Sequence, residues 1–184
     1  MVKNHYKTIQ GWFNCPALYD TVIANMGLTG KVVEIGCWKG QSAAYMAESI
    51  QNSGKNITHY CVDTWEGTVT EDHHQQDAIV KEGKLFDHFN ENMQPFAGKY
   101  TPMQMTSLEA ATKFEDSTFD FVYIDASHEY ADVKADIQAW LPKVKKGGIL
   151  AGDDYNSRDV HRAVHEVLND VKSINRFTWQ VQVR

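Results

Sequence analysis

The densest concentration of reactive side chains in the 184-residue chain is Asp125, His128, Asp153 and Asp154. Asp125 ends the apolar run Phe119 to Ile124, and Asp153-Asp154 closely follow the run Ile149 to Ala151; both runs read as buried strands. In a doubly wound sheet, functional residues gather at the carboxyl ends of strands, so the three aspartates are expected at one edge. Carboxylates brought that close repel one another. A divalent cation such as Mg²⁺, which takes oxygen ligands and keeps sites for water and substrate, would reconcile them, with Asp125, Asp153 and Asp154 as its ligands. The competing assignment is that the aspartates satisfy loop N–H groups and that His128 caps the next helix.

A second group of residues is suited to holding a polar ligand. Val32 to Ser42 reads as a strand, a tight turn and the start of a helix, with Gly36 and Gly40 where a side chain would hinder the turn or a ligand's approach. The spacing Gly36-x-x-x-Gly40, with bulky Trp38 between, departs from the G-x-G-x-x-G of dinucleotide-binding loops, so nicotinamide and flavin readings lose ground. Asp63 ends the next strand, Ile57 to Asp63, where an acid either caps the turn or accepts hydrogen bonds from both ribose hydroxyls of an adenosine cofactor. Ser107 follows a modest third strand, Tyr100 to Thr106. It serves either as N-cap of the next helix or as a contact for an adenine ring.

Glu34-Ile35-Gly36 through Gly40-Gln41-Ser42, followed by Asp63 and by Asp125, Asp153 and Asp154, resembles the class I S-adenosylmethionine-dependent methyltransferases. Within them, the pattern is similar to the small metal-dependent O-methyltransferases of the macrocin type and, more distantly, the catechol type. The resemblance spans roughly 19–171. It implies that Glu34, Gly36, Trp38, Gly40 and Ser42 surround the methionine end of S-adenosylmethionine, that Asp63 holds the ribose, and that Thr106, Ser107 and Leu108 lie near adenine. It further implies that Asp125, Asp153 and Asp154 hold Mg²⁺ or another divalent cation, that His128 is the base, and that Asp125 shares in catalysis. The chain lacks a D/N-P-P-Y/F motif at the end of the fourth strand, which argues against amino-group methylation of bases or glutamine. The expected reaction is O-methylation of a small hydroxylated molecule, sugar or catechol-like; the alternatives are a nicotinamide-linked oxidoreductase and a non-catalytic cofactor-binding module.

These residues need a frame, and alternating strands and helices predict it: a three-layer α/β sandwich with a Rossmann-like, mostly parallel sheet and an antiparallel C-terminal edge. Asn14 and Pro16 start a first helix carrying Leu18, Val22 and Met26, with Trp12, Phe13 and Tyr19 read as packing residues. Leu85, Phe86, Phe89 and Met93 mark another helix, stopped by Pro95. Tyr130, Val133, Ile137, Leu141 and Val144 predict one long helix before the strand at Ile149, and 64–83, with His73-His74, reads as a long polar loop. One domain is expected over 1–184: a helical cover over 1–30, a cofactor core over 31–171, and a reduced strand pair or closing strand over 172–184.

Eighteen Lys and Arg against 24 Asp and Glu give a net charge of −6, and no basic run appears, so no nucleic-acid partner is expected. Three cysteines, widely spaced, suit reduced thiols in a cytoplasmic protein better than a disulfide framework. The absence of a long apolar run predicts no membrane span. The small-molecule acceptor is the expected partner, and a homodimer stays open.

Overall fold

The computed structural model describes residues 3–68 and 75–184. His73 and His74 lie outside the described residues. The elements, in chain order, are α1 (Pro16–Asn25), β1 (Thr29–Ile35), α2 (Gln41–Ser53), β2 (Asn56–Asp63), α3 (Ala78–Lys81), α4 (Leu85–Met93), β3 (Tyr100–Gln104), α5 (Ser107–Ala111), β4 (Phe119–Ile124), α6 (Tyr130–Trp140), β5 (Val144–Gly152), α7 (Arg158–Val167), β6 (Lys172–Ser173) and β7 (Trp179–Gln182). Seven strands form one sheet in the order β3-β2-β1-β4-β5-β7-β6. The first five run parallel, and β7 returns antiparallel between β5 and β6. The expected α/β sandwich with an antiparallel edge is therefore present, closed by a reduced strand pair.

Alternation along β1 divides the core. Val33 and Ile35 face a layer built with Phe119, Val122, Ile137, Trp140, Val164 and Trp179. Val32 faces the opposite layer, where α1 and α2 bring Leu18, Tyr19, Val22, Met46 and Ile50 against Phe121 and Tyr123. A side chain such as Trp140 stabilises by roughly 1.5–3 kcal/mol on full burial, provided its N–H finds a partner. Its Nε1 donates to Ser107 Oγ at 2.9 Å.

Two boundaries differ from the sequence expectation. The helix expected to run through Val144 stops at Trp140, because Pro142 lacks the N–H that an α-helix would use; a 3-10 turn, Leu141–Lys143, replaces it. Val144 instead opens β5, and the pairing jumps from Phe119↔Val144 to Phe121↔Ile149, so that residues 145–148 stand opposite Asp120 alone and bulge out of register. Likewise Thr106, not Ser107, caps α5: its hydroxyl accepts from Glu109 N at 3.3 Å while Glu109 reaches back to Thr106 N at 3.1 Å, a reciprocal capping box.

The order β2-β1-β4 places the chain reversal between β1 and β4, and the carboxyl ends of these strands open a crevice there. No helix among the described residues is long and apolar enough to cross a membrane.

Candidate active site

The turn after β1 is held by backbone contacts on both sides. Gly36 N donates to Val62 O at 2.9 Å, and Asp125 N donates to Ile35 O at 2.7 Å, so the ends of β1, β2 and β4 are locked together. Asp63 then organises the turn: Oδ2 accepts from Cys37 N and Trp38 N, and Oδ1 from Trp65 N, each at 2.8 Å. A carboxylate offers about four acceptor positions, so three N–H bonds leave capacity for a ligand hydroxyl. Gly40, at φ +93°, is the N-cap of α2 and exposes the free N–H groups of that helix to the turn.

Two cavities meet along Gly36, Trp38, Asp125 and Ala126. The smaller, about 150 Å³, runs over Asp63, Thr64 and Ser107. The larger, about 560 Å³, is lined by Trp12, Phe13, Asn14 and Phe177, by Asp125, His128, Asp153 and Asp154, and by Cys37, Gln41 and Ser42. A volume in the range of about 300–1,000 Å³ suits a small-molecule site.

The sequence-predicted residues distribute unevenly over this site. Gly36, Trp38, Ser42, Asp63 and Ser107 line one cavity or both. Thr106 and Leu108 line neither: Thr106 is spent on the cap, and Leu108 sits over a separate surface depression beside Met105 and Thr112. Gly40 shapes the turn without lining a cavity, packing instead on Phe89. Glu34 is buried beneath the turn at 2% exposure, where Ser42 Oγ hydrogen-bonds to Oε1 and Tyr19 OH donates to Oε2 at 3.4 Å. Ser107 also hydrogen-bonds Asp136, tying α5 to α6 beneath the smaller cavity.

Trp12 and Phe13, expected as packing residues, and Asn14, expected at the helix start, all line the larger cavity. The exposed Trp12 ring stacks on Trp38 with centroids 4.9 Å apart and an interplanar angle of 26°. Phe13 packs against Tyr6, Tyr19 and Tyr45, which fixes the segment. Their available signal was the aromatic pair ahead of the Asn14-x-Pro16 helix start, beside the first loop.

Asp125, His128 and Asp154 converge, each offering a donor atom within 4.8 Å of the others. His128 Nε2 lies 2.7 Å from Asp154 Oδ2. His128 does not cap α6; Glu129 occupies that position. Asp154 reaches the cluster from a left-handed backbone, φ +53°. Asp153, expected in the ligand set, is turned aside toward Asn14 and Thr178, whose Oγ1 donates to Oδ1 at 3.5 Å. Burial, followed by the charges of Asp153 and Asp154, pushes the Asp125 carboxyl well above its ordinary range. Burial and Asp154 likewise raise Asp153 to about 6. Two carboxylates and an imidazole within this span fit a divalent cation, whereas Asp153 lines the same cavity outside that group.

Glu34 yields a pH prediction. Burial, then Cys61, raises its pKa from 4.5 to about 8. The folded state therefore keeps a proton that the unfolded chain releases, so this contribution to stability is full below pH 4.5 and is lost as pH rises toward 8. At 1.36 kcal/mol per unit the swing is at most about 4–5 kcal/mol. Urea titrations from pH 5 to 8 are expected to show stability falling in the wild type relative to Glu34→Gln; parallel curves would contradict the buried carboxyl.

Residues 33–155 match the family described as a methyltransferase domain. The uncharacterized protein y4gI of Sinorhizobium fredii is 26% identical over 129 residues, covering 70% of this chain and 13% of that much longer protein. Among solved structures, the O-methyltransferase NovP is 17% identical with a TM-score of 0.64, covering 91% of this chain and 78% of its own. Cofactor-bound Rv0187 from MTB is 13% identical with a TM-score of 0.64, covering 98% and 86%. With two thirds of its length inside the family match and the strand order of the fold complete, the chain belongs to the methyltransferase-domain family.

Proposed function

We propose that the protein is an S-adenosylmethionine-dependent O-methyltransferase, assisted by a divalent cation and acting on a small hydroxylated molecule. The observation that carries this reading is the convergence of Asp125, His128 and Asp154 on the wall of the larger cavity, next to the turn at Gly36. Asp125 and Asp154 would hold Mg²⁺ or a similar ion. When bound, the cofactor supplies an electrophilic methyl group and the cation makes a coordinated hydroxyl more acidic. The chain's own residues have three tasks: Asp63 and Ser107 bind the adenosine side, Ser42 and the turn bind the methionine side, and His128 accepts the hydroxyl proton. An imidazole, ordinarily near pKa 6.5, suits that proton transfer at neutral pH. The acceptor would enter between the carboxylates and the aromatic wall. NovP, named as an O-methyltransferase, supports the choice of oxygen by analogy of fold.

A second reading, favoured by the 2.7 Å contact between His128 and Asp154, uses them as a base pair without a metal: Asp154 would orient the imidazole and stabilise its protonated form. One assay separates these. Calorimetry is expected to show binding of S-adenosylhomocysteine and not of NAD. Methyl transfer to a panel of catechols and sugars is expected to stop in EDTA and return with Mg²⁺. Full activity in EDTA would select the metal-free pair, and binding of NAD alone would make the protein an oxidoreductase.

A further inference from the structure

One cluster of buried reactive groups has no part in that chemistry. Cys37 and Cys61 are 3% and 0% exposed, and His59 is 1% exposed beside them. Cys61 Sγ lies 3.5 Å from His59 Nε2. Cys37 belongs to the turn after β1: its Sγ is 3.6 Å from Glu34 O and 3.7 Å from Val62 O, on the strand pair in which Glu34 faces Cys61. Two thiols are thus neighbours across the β1–β2 pair and share one core cluster, with an imidazole against one of them, and Cys37 also lines the larger cavity. A small oxidant entering that cavity meets the pair from the Cys37 side.

We propose that Cys37 and Cys61 are a modification site, closing to a disulfide under hydroperoxide and thereby weakening cofactor binding. Cys37 Sγ attacks one peroxide oxygen, the O–O bond breaks, and the thiol proton leaves with the departing oxygen as water, which gives a sulfenic acid. Cys61 then passes its proton to His59 and attacks the sulfenic sulfur. The S–S bond forms, and the displaced hydroxide takes the proton back from His59 as a second water. Two thiols are oxidised and one hydrogen peroxide is reduced, with no other reactant.

The mechanical consequence follows from where the two sulfurs are anchored. An S–S bond is about 2.05 Å long, shorter than any contact between free thiols, so closure draws the two sulfurs together and loads the backbones that carry them. β2 is hydrogen-bonded to β1 on one side and β3 on the other, whereas Cys37 sits in a turn. The turn therefore yields, displacing Cys37 and Trp38, whose N–H groups are fixed on Asp63. This effect on binding rests on reading the turn as the cofactor cradle.

Cys15, Cys37 and Cys61 fall in three separate tryptic peptides, so the pairing can be read directly. Hydrogen peroxide treatment of the reduced protein is expected to yield a crosslink between the Cys37 and Cys61 peptides. S-adenosylhomocysteine affinity should fall by about tenfold and recover with dithiothreitol. Cys61→Ser and, separately, Cys37→Ala should abolish the response, and Cys15, whose thiol donates to Tyr123 OH at 3.1 Å, should stay out of the crosslink. A crosslink with unchanged affinity would overturn the gating, and oxidation of the half-buried Met26, Met103 or Met105 with no crosslink would overturn the site. Reduced protein that binds no S-adenosylhomocysteine would instead sink the cofactor reading, while the crosslink would still be scored by mass.

Discussion

Changing His128 to alanine is expected to lower kcat by about 10²–10⁴, the usual contribution of a positioned base, while S-adenosylhomocysteine affinity stays nearly unchanged. The separation is anticipated because His128 lines the larger cavity and not the smaller, where Asp63 and Ser107 stand. The helix-cap alternative for this residue has no support in the geometry: Glu129 stands at the N-cap of α6, and the imidazole lies against Asp154 instead. A companion change, Asp154→Asn, is the informative one at that position. Asparagine tolerates the left-handed backbone found there, φ +53°, so lost activity would report on charge rather than on strain. If His128 is the base and Asp154 both holds the cation and orients the ring, Asp154→Asn should depress activity and weaken its response to added Mg²⁺. Steady-state rates over a Mg²⁺ titration, with calorimetry as the binding control, would check both. Full activity in His128→Ala would discard the base.

How much of this site could be read from sequence depended on whether a residue's role is set by its own segment. Asp63, Asp125 and Asp153 end β-branched or aromatic runs, and a parallel sheet brings such ends to one edge whatever else happens. The division of labour within the cluster was hidden, because it depends on side-chain direction. Asp154 enters a left-handed conformation and turns to His128, while Asp153 points back to Asn14 and Thr178 from the far end of the chain. The aromatic wall was hidden for a related reason. Trp12 and Phe13 lie in a short irregular segment with no period to read, and only the fold shows them lining one cavity with the acidic edge. Two misreadings had a local signal all the same. Thr106-Ser107-Leu108-Glu109 spells a capping box that puts the cap one residue earlier than Ser107, and Pro142 interrupts the apolar period that seemed to carry the helix on to Val144.

Gly36→Ala is expected to cost several kcal/mol, the largest stability loss among the glycine changes compared here, and the reason is not the ligand. At φ +86° the residue already occupies a region that side chains disfavour by roughly 1–2 kcal/mol. A Cβ there would stand 1.8 Å from Asp125 O and 2.5 Å from Asp125 C, both backbone atoms, and 2.8 Å from Ala126 Cα. None of these can rotate away as a side-chain tip would. They are held by the bond from Asp125 N to Ile35 O, and Gly36 is held by its own bond to Val62 O. Relief therefore requires parting β1 from β4 at the crevice, adding an overpacking cost of about 1–3 kcal/mol or more to the strain. Gly54→Ala is the matched control: its φ is also positive, +69°, but nothing lies within 4 Å of the added Cβ, so only the backbone term of about 1 kcal/mol applies. With a shift of about 2–4 °C per kcal/mol for a chain of this size, Gly36→Ala should melt roughly 10 °C or more below wild type and Gly54→Ala only a few degrees below. Equal melting temperatures for the two variants would mean that β4 does not close on the turn as described. Because the same displacement would carry Asp125 away from His128 and Asp154, any Gly36→Ala protein that remains folded should also lose turnover, whereas Gly54→Ala should keep it.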